Sequence, residues 1–277
     1  MSGSYLSHGA SLSFSDTGEG LPVVFLHPTP LDHDYWRPLS RELAGIRAII
    51  PDLRGHGQSQ LGGPLPVGSF ARVPAAPVLT MEQLATDVIA LLDHLRLPVA
   101  VFAGCSIGGY VLLELWRRAP QRVGGLVFIC SKPQPDAESN LAKRVETIAH
   151  ANAQGLSTLF DGMTQTLLGA TARRDHPELV AELRARMTLT PEAEIAVQAG
   201  LAVRPDSVPT VATITAPVLA IAGSEDTSAA PAEMEAFRAA PGGCEYHVLT
   251  PAGHFAAYEQ PRKVAALMAP WLRQFHV

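Results

Sequence analysis

A six-residue stretch, Gly104-Cys105-Ser106-Ile107-Gly108-Gly109, falls between an apolar run at 99–103 and an amphipathic stretch at 107–118. It constrains this chain more than any other feature. The apolar run is strand-sized and the stretch after it has helical periodicity, so the G-x-S-x-G occupies a strand-to-helix turn. Small residues on both sides of the serine let the chain turn sharply, lift the hydroxyl clear of a sheet and aim a helix N-terminus at a reacting oxygen. Taken alone, the motif reads equally well as a tight Gly-rich turn; its place between strand and helix makes Ser106 the candidate nucleophile.

The rest of the chain repeats the same alternation. Short apolar runs at 22–26, 47–51, 125–130, 217–222 and 246–249 read as strands, with an edge strand at 12–14. Between them, 81–95 places Leu84, Val88, Leu91, Leu92 and Leu95 on one helical face, and 107–118 and 262–275 behave similarly. The pattern predicts an α/β fold with a mostly parallel central sheet flanked by helices. Two segments interrupt it. Residues 61–78 are rich in Gly, Pro and Ala without periodicity and read as an irregular loop. Residues 132–212 carry helical patterning at 145–153, 156–168, 177–187 and 192–201 with no strand between, which predicts an inserted helical cap over a core made of 1–131 and 213–277. No internal repeat or heptad array is visible.

Composition narrows the function classes. Of 277 residues, 47% are hydrophobic, enough for a substantial core, and 21 Lys+Arg against 26 Asp+Glu leave no basic run for a nucleic acid. No apolar stretch approaches the ~20 residues of a membrane helix. Residues 1–14 lack the basic and apolar regions of a signal peptide, so a cytoplasmic protein is expected. Two of the three cysteines, Cys105 and Cys130, fall in apolar runs and Cys244 is left over, which suits free thiols. The spacing of His27 and His33 matches no usual zinc pattern, and neither H-E-x-x-H nor C-x-x-C occurs, so no metal or cofactor is expected.

A serine hydroxyl is a weak nucleophile until a base takes its proton. Among ten histidines, His254 stands out, because Pro251-Ala252-Gly253-His254-Phe255 lies after the last strand and before the final helix, at the carboxyl edge of the sheet. His8, His150, His176 and His276 read as surface residues, and His94 suits a helix C-terminus. The base needs a carboxylate to fix its tautomer. Asp226, in Gly223-Ser224-Glu225-Asp226 after the strand at 217–222, is the candidate; Glu225 beside it and Asp136 after the strand ending at Cys130 remain alternatives. An oxyanion needs two backbone donors. One is expected from Ile107. The other is expected from His27-Pro28-Thr29-Pro30, where the prolines have no N–H and Thr29 is the natural donor. The isomer of the Thr29-Pro30 bond is left open. Residues 51–59, with Arg54 and His56, read as a structural turn.

At these residues, and in the order Ser, Asp, His, the chain resembles the α/β-hydrolase superfamily, within it the enol-lactonase and small-esterase branch. In that branch a loop beginning His-Gly-Phe-Pro-Leu-Asp-His is common, and here Pro28 and Thr29 depart from it. The resemblance implies a serine hydrolase that cleaves a small carboxylic ester or lactone through an acyl-enzyme without a cofactor. A serine where dehalogenases and epoxide hydrolases of this fold use aspartate argues against those activities. Perhydrolysis or carbon–carbon hydrolysis on the same residues, and a non-catalytic ligand receptor, are the alternatives; homo-oligomerisation is left open. Within the cap, Leu156, Leu159, Phe160, Met163, Leu167 and Leu168 read as core or as pocket lining, and Arg173, Arg174 and Arg204 as solvated charges or a clamp for a substrate carboxylate.

Overall fold

The computed structural model describes residues 2–70 and 73–275; His276 lies outside them. Eight strands form one sheet in the order β1-β2-β4-β3-β7-β8-β9-β10. They are β1 (Ser2–Ser7), β2 (Ala10–Gly18), β3 (Leu21–Leu26), β4 (Ile46–Pro51), β7 (Ala100–Cys105), β8 (Val123–Ile129), β9 (Val218–Gly223) and β10 (Cys244–Leu249); β5 (Val67–Phe70) and β6 (Val73–Pro77) pair separately. β2 runs antiparallel to β1 and β4, and every pairing from β4 through β3, β7, β8 and β9 to β10 is parallel. The expected mostly parallel sheet is present.

Strand alternation divides the core in two. From β7, Ala100 and Phe102 face one side with Val24, Leu126 and Ala220, where they meet α1 (Met81–His94) and α2 (Ile107–Arg118). Val101, Ala103 and Cys105 face the other side with Phe25, Val127 and Ile221, against Trp36, Leu39 and the last helix. Each Val, Leu, Ile or Phe side chain among these removed from water contributes roughly 1.5–3 kcal/mol. Thr80 caps α1 by accepting from the Gln83 N–H at 3.1 Å, and His94 ends it.

Between β8 and β9 run α3 (Glu138–Gln154), α4 (Ser157–Leu167), α5 (Ala170–Asp175), α6 (Pro177–Arg186) and α7 (Pro191–Ala202), with no strand among them; α8 (Pro261–Leu272) closes the chain. Two expectations need correction. The loop at 61–78 contains the antiparallel pair β5 and β6, with Val67 opposite Pro77 and Gly68 opposite Ala76. The edge strand is β1, not 12–14, which lies inside β2. β1 is hard to read because only Tyr5 and Ser7 are buried while Ser2, Ser4 and Leu6 face out. Among the described residues no helix is long and apolar enough to cross a membrane.

Candidate active site

β7 and α2 meet at Ser106, whose φ of 52° is a conformation that β-carbon sterics disfavour. The neighbouring glycines make the turn possible. A Cβ on Gly104 would stand 2.5 Å from the Gly108 carbonyl carbon, one on Gly108 would stand 2.2 Å from the Leu26 oxygen, and one on Gly109 would stand 2.3 Å from Ser131 Oγ. Ser106 thus ends at the carboxyl edge of the sheet with the Ile107 amide at the first helical position, where it has no acceptor within the helix.

His254 follows β10, and its Nδ1 lies 2.8 Å from Asp226 Oδ2, with both side chains buried. The other Asp226 oxygen accepts from the N–H groups of Ser228 at 2.7 Å and Ala229 at 3.1 Å. Burial alone would raise the Asp226 carboxyl; His254 and these two amides outweigh it and hold the group below the usual carboxylate range. Asp226 is therefore an anion that fixes the Nδ1–H tautomer of His254 and leaves Nε2 free to accept a proton. Of the two alternative acids, Glu225 accepts from the Thr171 N–H at 2.9 Å, and Asp136 is ion-paired with Arg144 and with Arg204 at 2.7 Å. Neither is hydrogen-bonded to His254.

Thr29 faces the same cavity as Ser106 and His254, and the Thr29-Pro30 bond is cis. Its hydroxyl is already committed. Thr29 Oγ1 lies 3.0 Å from His56 Nε2, and His56 Nδ1 lies 3.0 Å from the Arg54 carbonyl oxygen, which can only accept. Burial pushes the His56 imidazole down to about 4. A neutral ring must therefore carry its proton on Nδ1, so that Nε2 accepts and the Thr29 hydroxyl donates to it. What Thr29 can offer an oxyanion is its amide. His27 is buried beneath this loop, with Nδ1 donating to the Pro28 oxygen at 3.0 Å and Nε2 accepting from the Leu53 N–H at 2.9 Å. His33 is bonded to Asp52 at 2.8 Å, and that hydrogen bond raises its pKa. Among the described residues no group of three or more His, Cys, Asp and Glu side chains is placed to hold a metal ion.

The cavity has a volume of about 470 Å³. Its floor includes Thr29, Ser106 and His254, and its wall comes largely from α3 and α4, including Lys143 and Arg144, with Gln198 and Leu201 from α7. Arg144 donates to Gln198 Oε1 at 2.7 Å as well as to Asp136, while Lys132 is paired with Glu233 at 2.6 Å. The guanidinium of Arg204 lies 4.4 Å over the Tyr110 ring. Burial would raise the Asp136 carboxyl, but Arg144 and Arg204 hold it low. The lining mixes apolar side chains (Tyr110, Met163, Leu167 and Leu201) with polar ones and carries more cations than anions. Of the apolar residues in the helical segment, Met163 and Leu167 line the cavity, whereas Phe160, Leu156 and Leu168 are buried in the core.

A sequence model of the alpha/beta hydrolase family matches residues 23–267. The chain belongs to that family. This alpha/beta hydrolase is similar to a solved thermophilic esterase from Thermogutta terrifontis, 33% identical, with a TM-score of 0.87 over 97% of this chain and 95% of that one. It is 27% identical over 240 residues to 3-oxoadipate enol-lactonase 2 of Acinetobacter baylyi, covering 82% of this chain and 79% of that protein. A non-heme chloroperoxidase of Streptomyces lividans is 35% identical over 132 residues. This hydrolase spans less than half the length of some curated relatives it matches, that chloroperoxidase (43%) among them.

Two of the arginines considered as a clamp lie away from the cavity of this hydrolase. Arg173 donates to the Leu168 carbonyl at 2.9 Å and Arg174 is an exposed partner of Asp175, while Arg204 is a buried partner of Asp136. Arg144 is the guanidinium that lines the cavity, and sequence reasoning missed it. The one available signal was its place in a polar helix, which a solvated face produces equally well. His56 was also missed as a neighbour of the site. Its turn is structural as expected, with Arg54 ion-paired to buried Asp87 at 2.6 Å, yet the histidine two residues on reaches Thr29.

Proposed function

We propose that this hydrolase cleaves a small carboxylic ester or lactone. Ser106 attacks the carbonyl carbon, His254 takes the hydroxyl proton, and Asp226 stabilises the imidazolium. The amides of Ile107 and Thr29 meet the oxyanion. His254 then protonates the leaving oxygen, and water, giving a proton back to His254, releases the acid and restores Ser106. The observation that carries this reading is Ser106 on its strained turn, lining one cavity with a histidine whose far nitrogen is bonded 2.8 Å from a buried carboxylate. The similarity to an esterase and to an enol-lactonase supports it.

Helices α3 to α7 act in this reading as a cap that sets access. Four cations (Lys132, Lys143, Arg144 and Arg204) stand at or just behind its wall against Asp136 and Glu233. Glu194 does not line the cavity: it is buried behind Gln198, which donates to it at 2.7 Å, and burial raises its carboxyl. A substrate with a carboxylate on its acyl part fits that balance better than a long lipid chain. The chloroperoxidase relative favours one second reading, in which hydrogen peroxide replaces water as the attacker of the acyl-enzyme and a peracid leaves.

The test is labelling by a fluorophosphonate followed by a panel of short esters, long esters, simple lactones and carboxylated enol-lactones. Expected are stoichiometric modification of Ser106 and turnover of at least one soluble short substrate. Labelling elsewhere, or no turnover across the panel by unlabelled protein from the same folded preparation, overturns the reading. Peracid formation from an ester and peroxide faster than hydrolysis would select the second reading.

A further inference from the structure

Two carboxylates beside the site take no part in that scheme, and both reach across to one short piece of the helical segment. Glu259 Oε2 accepts from the Gly253 N–H at 2.9 Å, and its Oε1 accepts from the Gly169 N–H at 3.2 Å. Glu225 Oε2 accepts from the Thr171 N–H at 2.9 Å, and its Oε1 accepts from the Thr171 hydroxyl at 2.5 Å. The Phe255 N–H donates to the Leu167 oxygen at 3.1 Å. Glu225 immediately precedes Asp226, and Gly253 and Phe255 flank His254. The strap 167–171, which joins α4 to α5, is thus bonded to the loop of the acid and to the loop of the base.

The approach is close enough to exclude a side chain. A Cβ on Gly253 would stand 2.1 Å from the Gly169 nitrogen, and one on Gly169 would stand 2.8 Å from the Gly253 nitrogen. On their other side the same loop residues are held by buried thiols, with Cys130 Sγ 3.4 Å from the Gly253 oxygen and Cys105 Sγ 3.6 Å from the His254 oxygen. The base loop is gripped through its carbonyls by the sheet and through its amides by the strap and Glu259. Crowding Glu225, Glu259 and Asp226 at one edge costs electrostatic energy. Burial and these neighbours push the Glu259 carboxyl up, against the pull of the two glycine amides. An uncharged amide would avoid that cost but has one acceptor oxygen, whereas the two N–H groups meet different oxygens of Glu259.

We infer that Glu259 and Glu225 are positioning residues that make the strap 167–171 a splint across the Asp226 and His254 loops, so that the helical segment aligns the base as well as covering the cavity. This inference rests on the serine-hydrolase reading. Displacing an acid or base by about 1 Å can cost on the order of 10² in rate, which sets the scale of the effect.

The experiment compares Glu259→Gln and Glu225→Gln with the unmodified protein. It records kcat and KM on a soluble short ester and the low-field proton resonance of the His254 Nδ1–H bonded to Asp226. A glutamine at 259 can accept one of the two N–H groups but turns its own donors toward the other. Expected for Glu259→Gln are a fall in kcat of roughly 10–100-fold, KM within about threefold, and a shifted or broadened resonance. Glu225→Gln should move the same quantities in the same directions by less, and it carries the test if Glu259→Gln does not fold. A folded variant whose kcat stays within about twofold, or whose kcat falls while the resonance is unchanged, overturns the inference. The resonance needs no turnover, so it is also read in Ser106→Ala; full activity in that variant would sink the serine-hydrolase reading separately from the splint.

Discussion

α2, which begins at the nucleophile turn, buries nine of its twelve residues, whereas α3, which forms much of the cavity wall, buries Ile148 and Ala151 out of seventeen. α6 is similar to α3, with Leu183 its one buried residue. The last helix of the segment, α7, behaves like the core, for Ala193 to Leu201 are all buried and a Cβ on Gly200 would stand 1.8 Å from the Leu79 oxygen. Local stability follows buried apolar contact, so α3 to α6 are expected to open at lower free energy than the sheet. The contrast separates two tasks. In the serine-hydrolase reading, the groups that must hold geometry sit on loops tied by several hydrogen bonds, and the groups that would meet a substrate sit on helices attached at α7 and at the strap.

The largest expected difference between these regions is in turnover. Ser106→Ala should lower kcat by on the order of 10⁴-fold or more while the melting temperature stays near that of the unmodified protein, because the fold does not depend on the hydroxyl. Steady-state rates and a thermal melt on one preparation decide it. A folded variant with near-native turnover would show that the bonded floor is not where the chemistry occurs.

Acid should weaken the layer beneath the floor through His56 and His27. Burial pushes His56 down to about 4 and lowers His27 as well, whereas an unfolded chain takes up a histidine proton near 6.5. Below 6.5 the unfolded state binds more protons, so stability rises with pH in this window and falls on acidification until the folded ring also protonates. Each such histidine contributes a slope of about 1.4 kcal/mol per pH unit. Asp226, held low, adds a loss in the same direction at lower pH. His33, raised by Asp52, acts oppositely, giving stability that is lost as pH rises through its folded pKa. Urea unfolding at pH 6.5, 5.5 and 4.5 should show the decline, and His56→Gln should flatten it; equal slopes in the two proteins would exclude His56 as a source.

Thr29→Val tests a single bond within the floor. The hydroxyl donates to His56, so its removal leaves a buried acceptor unpaired at a cost of about 1–3 kcal/mol, while kcat should stay within about fivefold because the amide remains. Loss of turnover without loss of stability would reverse that assignment and make the hydroxyl an oxyanion donor.

How much of this could be read from the sequence follows the same division. β3, β7, β8 and β9 were legible because strands covered on both faces are continuous apolar runs, and the G-x-S-x-G fixed where β7 gives way to α2. β5 and β6 were not, since their pairing sets Val67 against Pro77 in a stretch without alternation. Ser106, Asp226 and His254 could be placed at one edge because each follows a strand. The partners of Glu225, Glu259 and His56 could not, because they lie 54, 90 and 27 positions away along the chain and meet through tertiary packing. Arg173 and Arg204 illustrate the same limit from the other side, as their types suited a clamp and their backbone and carboxylate partners removed them from that role.

The smallest effect is expected at the wall. Arg144→Met keeps the length of the side chain and removes its charge, and Asp136 retains Arg204 at 2.7 Å, so the fold should tolerate the change. The Arg144 side chain is partly exposed and already shares Asp136 and Gln198, so its attraction for a substrate carboxylate is screened. An exposed or half-exposed ion pair is worth up to about 1 kcal/mol, which corresponds to roughly fivefold in affinity. The measurement is KM for two esters of equal size, one ending in a carboxylate and one in a methyl group. Arg144→Met should raise the first by about fivefold and leave the second and both kcat values nearly unchanged. A similar rise for both esters would mean that Arg144 shapes the cavity without reading charge. A fall in kcat for both would break the separation of wall from floor, since a wall residue would then hold the floor in place in the way proposed for Glu259 and the strap.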